Sequence, residues 1–227
     1  MILNRRHFVG AAAAMTATAS SALLARSTLP RRTPSPLLPP QMTAPEPAPV
    51  PAAAKAAEQP GLLGEALASL DRHAAWVGRR DKIGLVDFSL PSSEKRFFLV
   101  DVAGGRVEQS WLVAHGKGSD LANTGYVQRF SNDPGSNASS RGAYSTATPY
   151  YGKHGRSQRL VGLDAENNMA LERAIVIHGA PYVDPSMIDT RGRIGRSFGC
   201  FAVEDSQINR VMGQLGEGCL LYAGKSV

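Results

Sequence analysis

Two residues in this sequence have the chemistry to act together on a carbonyl group, Cys200 and His178. His178 ends the apolar run Ile175-Val176-Ile177 and is followed by Gly179. Cys200 ends the stretch Gly195-Arg196-Ser197-Phe198-Gly199. A thiolate is the nucleophile, and a free thiol titrates near ~8.5 unless a histidine or nearby cations lower it. Arg191, Arg193 and Arg196 lie close by in sequence and supply positive potential. Gly199 omits a side chain beside the sulfur. That permits a sharp turn and lets backbone N–H groups face a developing oxyanion. Spacing alone does not decide the matter, because a cysteine is often a small buried apolar residue and a histidine a satisfied core residue.

Two other uses of the same residues stay open on these grounds. The chain has two cysteines, and outside the cytosol an even count suggests a Cys200–Cys219 disulfide. Against it, Cys219 opens an apolar strand and reads as buried. His115, His154, His178 and Cys200 also make a donor set suited to zinc, without the short paired spacings typical of such sites.

The elements around these residues are mostly strands. Leu62, Leu63, Ala66, Leu67, Leu70, Ala74 and Val77 recur at helical spacing and predict one amphipathic helix over 62–77. Strands follow at Ile83–Phe88 and Arg96–Val102. A turn at Ala103-Gly104-Gly105 leads to a hairpin partner running from Val107 to His115. Along it Val107, Trp111, Val113 and His115 share a face. Residues 116–149 read as loop, dense in turn formers around Ser131–Asn137. A short helix is expected at Glu166–Ala170 and a central strand at Arg173–His178. Glu204-Asp205-Ser206 starts a helix whose face carries Ile208, Val211, Met212 and Leu215, and Cys219–Tyr222 is the last strand. The pattern predicts a mainly β domain over 81–227, entered through a helical segment at 61–80.

Residues 1–27 begin with a basic head and continue into a short alanine-rich apolar run, the layout of a secretory signal. Arg5-Arg6 followed by Phe8 resembles a twin-arginine signal. Residues 28–60 hold ten of the fifteen prolines and read as a disordered Pro/Ala-rich tether. The expected location is therefore the periplasm or cell envelope, with membrane contact only during export. Residues 1–60 carry six basic and two acidic residues, which supply +4 of the formal +6. The charge thus belongs mainly to signal and tether, and no basic-aromatic motif points to nucleic acid. Oligomeric state is not legible.

Several blocks, in order, resemble the catalytic domain of the murein L,D-transpeptidases, in a branch distinct from the best-known YkuD proteins. They are Phe97-Phe98-Leu99-Val100-Asp101, Ala114-His115-Gly116-Lys117-Gly118, Phe130-Ser131-Asn132 with Pro134-Gly135-Ser136, Tyr151-Gly152-Lys153-His154-Gly155, Ala174–Ala180, and Gly195–Cys200. The resemblance implies a mainly β sandwich or barrel with a few short helices and a site in a groove. It implies Cys200 as nucleophile, His178 as base, Gly179 orienting the imidazole through its carbonyl, and Ser197 shaping the turn and oxyanion hole together with Gly199. The better-known branch has His where Phe198 stands, and Phe201-Ala202-Val203 follows Cys200 where that branch has Arg or Asn. Arg196 is expected to supply the missing charge. Tyr151, His154 and His115 are expected along the substrate groove. The implied substrate is a peptidoglycan stem peptide, and the implied chemistry uses no cofactor. The alternatives become a zinc-dependent peptidoglycan peptidase and a non-catalytic wall-binding module with a Cys200–Cys219 disulfide.

Overall fold

The structure, a computed structural model, describes residues 60–226. The signal expected at 1–27 and the tether at 28–60 fall outside the described residues, apart from Pro60. Helix α1 spans Pro60–Arg72, shorter than its apolar spacing predicts. His73 Nε2 meets Asp164 Oδ1 at 2.8 Å, and the Trp76 carbonyl accepts from Ser145 Oγ at 2.9 Å. These contacts end the helix and commit residues 73–76 to turns. Val77 is still buried, but from the turn.

Eight strands follow: β1 (Arg79–Asp87), β2 (Phe97–Asp101), β3 (Arg106–Trp111), β4 (Gly142–Gly152), β5 (Gly155–Gly162), β6 (Val176–Gly179), β7 (Phe201–Val203) and β8 (Cys219–Gly224). Between them lie α2 (Pro185–Arg191) and α3 (Ile208–Leu215). The strands form one sheet in the order β3-β2-β1-β8-β4-β5-β6-β7. Only β1 with β8 and β6 with β7 run parallel. Past Trp111 the chain crosses to the far end of the sheet, where Ala114 bridges Ala202 and Gly116 bridges Ser197. The two ends of the sheet are thereby drawn together, so the mainly β sandwich-or-barrel expectation holds.

Each face of the sheet buries a separate apolar cluster. Leu62, Ala66 and Leu70 of α1 cover Ile83, Leu85, Phe98, Val100 and Leu220. On the other face Ile208, Val211, Met212 and Leu215 of α3 pack with Phe97, Tyr144, Ile177 and Phe201. Those four positions fall at i, i+3, i+4 and i+7, as the sequence predicts, and all four are buried. Each contributes on the order of 1.5–3 kcal/mol before chain entropy is counted.

Several expectations need correction. The segment expected as loop to residue 149 already forms β4 from Gly142. Glu166–Ala170 is a run of turns instead of a helix, closed by Asn167 N–H to Asp164 O and Ala170 N–H to Asn167 O. The strand ending at His178 is next to last in the sheet, not central. Helix α2 was not expected, although Asp184 caps it by accepting from Ser186 N–H and Pro185 sits in its first turn.

Candidate active site

Strands β6 and β7 run parallel with His178 beside Ala202 and Ile177 beside Phe201. Ile177, Phe201 and Val203 enter the core shared with α3, whereas Ala202 packs in a small cluster with Leu112, Ala114 and Ile194. Side chains alternate along a strand, so His178, Ala202 and, two residues before it, Cys200 share the face away from the larger core. Continuing the register places Cys200 across from Val176. The Val176 N–H bears on the Cys200 sulfur, two residues before His178 on the same strand.

The Cys200 sulfur is half-buried against the start of β6. Its S–H donates to the Ala174 carbonyl at 3.7 Å, and Ala174 holds a left-handed φ of 53°. Burial pushes the thiol up, while the Val176 N–H, Arg173 and Lys153 oppose that rise. Arg173 and Lys153 therefore supply the positive potential expected of Arg191, Arg193 and Arg196. The resting sulfur is a thiol, and attack requires a base to take its proton.

His178 is held in one tautomer. Its Nδ1 lies 2.7 Å from the Gly179 carbonyl. A carbonyl only accepts, so Nδ1 carries the hydrogen and the Nε2 lone pair is free. Burial depresses its pKa; the Gly179 bond opposes this, the His154 charge adds to it and Asp205 opposes it. Burial thus favours the neutral ring. Asp205 packs directly over Gly179: a Cβ there would sit 2.5 Å from Asp205 Oδ1.

The turn carrying Cys200 is held by one hydroxyl. Ser197 Oγ accepts from Gly199 N–H at 3.1 Å and donates to the Cys200 carbonyl at 2.7 Å. The N–H of Gly199 is therefore used inside the turn. Gly199 has φ 114°, and a Cβ on it would lie 2.7 Å from the Ala138 carbonyl. Arg173 fixes that neighbouring segment, donating to Ser131 O at 2.8 Å, to Ser140 Oγ at 2.6 Å and to Ala138 O.

The remaining expected residues separate. His154 comes to the base: its ring stacks on that of His178, centroids 4.5 Å apart and planes 25° apart. It sits with Lys153 at the two-residue tip between Gly152 and Gly155, which pair across β4 and β5. Tyr151 is 83% exposed on the same hairpin. His115 does not reach a groove. It is 0% exposed, its Nδ1 2.7 Å from Arg96 Nη2 and its Nε2 3.3 Å from Asp120 Oδ2. It is an internal strut, and its carbonyl accepts Ser197 N–H at 2.9 Å. Arg196 donates to the Asp120 carbonyl. Phe198 is 65% exposed, with Lys117 Nζ 4.4 Å from its ring centroid.

Both competing uses of these side chains lose their geometry. Cys200 and Cys219 are free thiols, and Cys219 faces the larger core on β8, four strand positions from β7. The zinc donor set does not assemble, because His115 is enclosed with Arg96 and Asp120. Among the described residues no group of three or more His, Cys, Asp or Glu side chains converges.

Sequence reasoning missed Arg173, Asp205 and Lys117. Arg173 was visible only as the first residue of a strand, and Asp205 only as a helix start. Lys117 stood in the block Ala114–Gly118 without a role.

A family model described as the L,D-transpeptidase catalytic domain matches residues 55–223. The chain belongs to this family. Among curated proteins, none matches the sequence. Solved structures similar to this L,D-transpeptidase domain include an L,D-transpeptidase from Mycobacterium smegmatis, at 12% identity and TM-score 0.39, covering 63% of this chain and 58% of that one. Another is the L,D-transpeptidase of Xylanimonas cellulosilytica, at 17% identity and TM-score 0.38, covering 70% and 68%. L,D-transpeptidase 3 from Mycobacterium tuberculosis, in complex with a faropenem-derived adduct, aligns at 9% identity and TM-score 0.40, covering 64% and 60%. The present chain thus spans less than two thirds of the M. smegmatis and M. tuberculosis structures.

Proposed function

We propose that this protein is a peptidoglycan L,D-transpeptidase with Cys200 as nucleophile and His178 as base. The observation that carries the reading is the Nδ1–H bond from His178 to the Gly179 carbonyl, which leaves Nε2 free on the face shared with Cys200. As the sulfur attacks the carbonyl before the terminal D-Ala of a tetrapeptide stem, its proton passes to Nε2. The C–S bond forms and the C–N bond to D-Ala breaks, with the leaving amine taking the proton from His178. A thioester remains on Cys200. The side-chain amine of a second stem, diaminopimelate in this reading, then attacks; the C–S bond breaks, the amine's proton returns through His178 and a cross-link results. Water as acceptor would make the same site a carboxypeptidase.

Ser197 and Gly199 shape the turn that presents the sulfur, and His154 bears on the base. Tyr151, exposed on the hairpin that carries His154, meets substrate in this reading. We assign the protein to the periplasm or cell envelope, exported by a signal at 1–27 and held by a tether at 28–60. The test is mass spectrometry of purified muropeptides incubated with the protein. A product lighter by one D-Ala than its two substrates combined, with a transient acyl mass on Cys200, supports the reading. Unchanged muropeptides and an unmodified sulfur would refute it.

A further inference from the structure

A cavity of about 180 Å³ lies beside the turn that carries Cys200, lined by Lys117, Asn123, Arg191, Arg193 and Arg196 together with Met187 and the chain at Ile194-Gly195. Four cations and no carboxylate face it. Their polar contacts are all neutral. Arg193 donates to Asn123 Oδ1 at 3.2 Å and to the Arg191 carbonyl at 2.9 Å, and Arg196 to the Asp120 carbonyl. Lys117 rests over the Phe198 ring. Among the described residues none of the four joins an ion pair. The Asp120 carboxylate is turned away, accepting from Thr124 and Gly125 N–H at 2.8 Å each and meeting His115.

Converging like charges repel, and in a concave site with low-dielectric walls the field they share is focused instead of dissipated. Such a cluster favours an anion. Guanidinium groups grip planar carboxylates with paired N–H donors, and charge-assisted bonds are about twice as strong as neutral ones. Position sets the ligand's relation to the chemistry. Arg196 is four residues before Cys200, and Lys117 spans from the cavity to Phe198, two residues before it.

We propose that this cavity is a binding subsite for a carboxylate of the peptide substrate, gripped by Arg191, Arg193 and Lys117 while the scissile carbonyl of the same peptide lies at Cys200. It deepens the acyl-transfer reading above and rests on it. Arg191 and Lys117 are exposed and bear no part of the core, so both can be neutralised without loss of fold.

The experiment uses the full chain carrying Cys200→Ala, which binds without turnover. Calorimetry compares a synthetic stem tetrapeptide having free carboxyl groups with the same peptide having those groups as carboxamides. The acid form should bind at least about tenfold more tightly, equal to about 1.4 kcal/mol, and lose that margin as salt rises. Adding Arg191→Gln and Lys117→Gln should weaken the acid form by a similar factor and leave the amide form unchanged. Equal affinities for the two peptides, or an acid-form affinity untouched by the double substitution, would overturn the proposal. Binding of inorganic phosphate without discrimination between the peptides would overturn it too. The broader reading fails separately: there the acid peptide would be preferred, yet the unsubstituted protein would never gain acyl mass on Cys200.

Discussion

His154 lies flat against His178, with ring centroids 4.5 Å apart and planes 25° apart, so whatever charge it carries acts directly on the neighbouring imidazole. Burial depresses His178 most; the Gly179 carbonyl opposes this and the His154 charge adds to it. Replacing His154 by Phe keeps the stack and removes the charge. The His178 pKa should then rise and, because only the neutral ring accepts a proton, the acid limb of the kcat/KM profile should move to higher pH. A limb that stays in place in His154→Phe would show that the second ring has no electrical effect on the first.

Cys200→Ala should abolish acylation while changing unfolding free energy by less than about 1 kcal/mol, since the sulfur is half-buried and its contacts, to the Ala174 carbonyl and the Val176 N–H, are the weak ones of a thiol. Ser197→Ala should behave differently. Its hydroxyl both accepts from Gly199 and donates to the Cys200 carbonyl, so losing it costs about 1–3 kcal/mol and slows acylation as well. Denaturant titrations alongside intact-mass time courses separate the two.

Gly199 and Gly179 should respond unequally to alanine. At Gly199 the new methyl meets the Ala138 backbone carbonyl at 2.7 Å on a φ of 114°, and backbone cannot step aside. Gly199→Ala should lose more than about 2 kcal/mol. At Gly179 the first obstacle is Asp205 Oδ1 at 2.5 Å, the end of a movable side chain. Gly179→Ala should therefore stay folded and lose rate, as Asp205 shifts from the base. Equal loss of stability in both would contradict this account.

The buried His115 makes stability depend on pH. Burial first, then the Arg96 charge, lowers it from 6.5 to about 4, against the pull of Asp120. Above pH 6.5 neither folded nor unfolded His115 is charged. Between 6.5 and 4 the unfolded chain binds a proton that the folded one refuses, so stability falls as pH drops, by up to about 3 kcal/mol. His178 is depressed as well and adds in the same direction. Urea unfolding between pH 7.5 and 4.5 measures the slope, and a flat response would refute the assignment.

Hydrophobic patterning exposed the elements whose burial is regular. Helix α3 announced itself by its helical spacing, and strands β2 and β8 by near-continuous apolar runs, because both of their faces are buried. It failed at the start of β4, where Gly142, Ser145 and the buried Thr146 interrupt the apolar pattern, so that residues up to 149 read as loop. Cys200, His178 and Gly179 were legible as parts through their order along the chain. What no sequence could convey was which cations end up near the sulfur. Arg191, Arg193 and Arg196 are close in sequence but line a cavity of their own, whereas Arg173, 27 positions upstream, is folded beneath the turn. His115 looked like a groove residue because it ends a strand at a glycine; the closure of the sheet through Ala114 and Gly116 encloses it instead.

The place of β8 in the sheet has a consequence for biogenesis. Strand β8 fills the slot between β1 and β4, so the two halves of the sheet have no seam to join until residue 224 has been made. Chain elongation must reach that far before β1 and β4 can be bridged, and removing residues 219–224 should leave a chain that aggregates instead of a smaller folded domain.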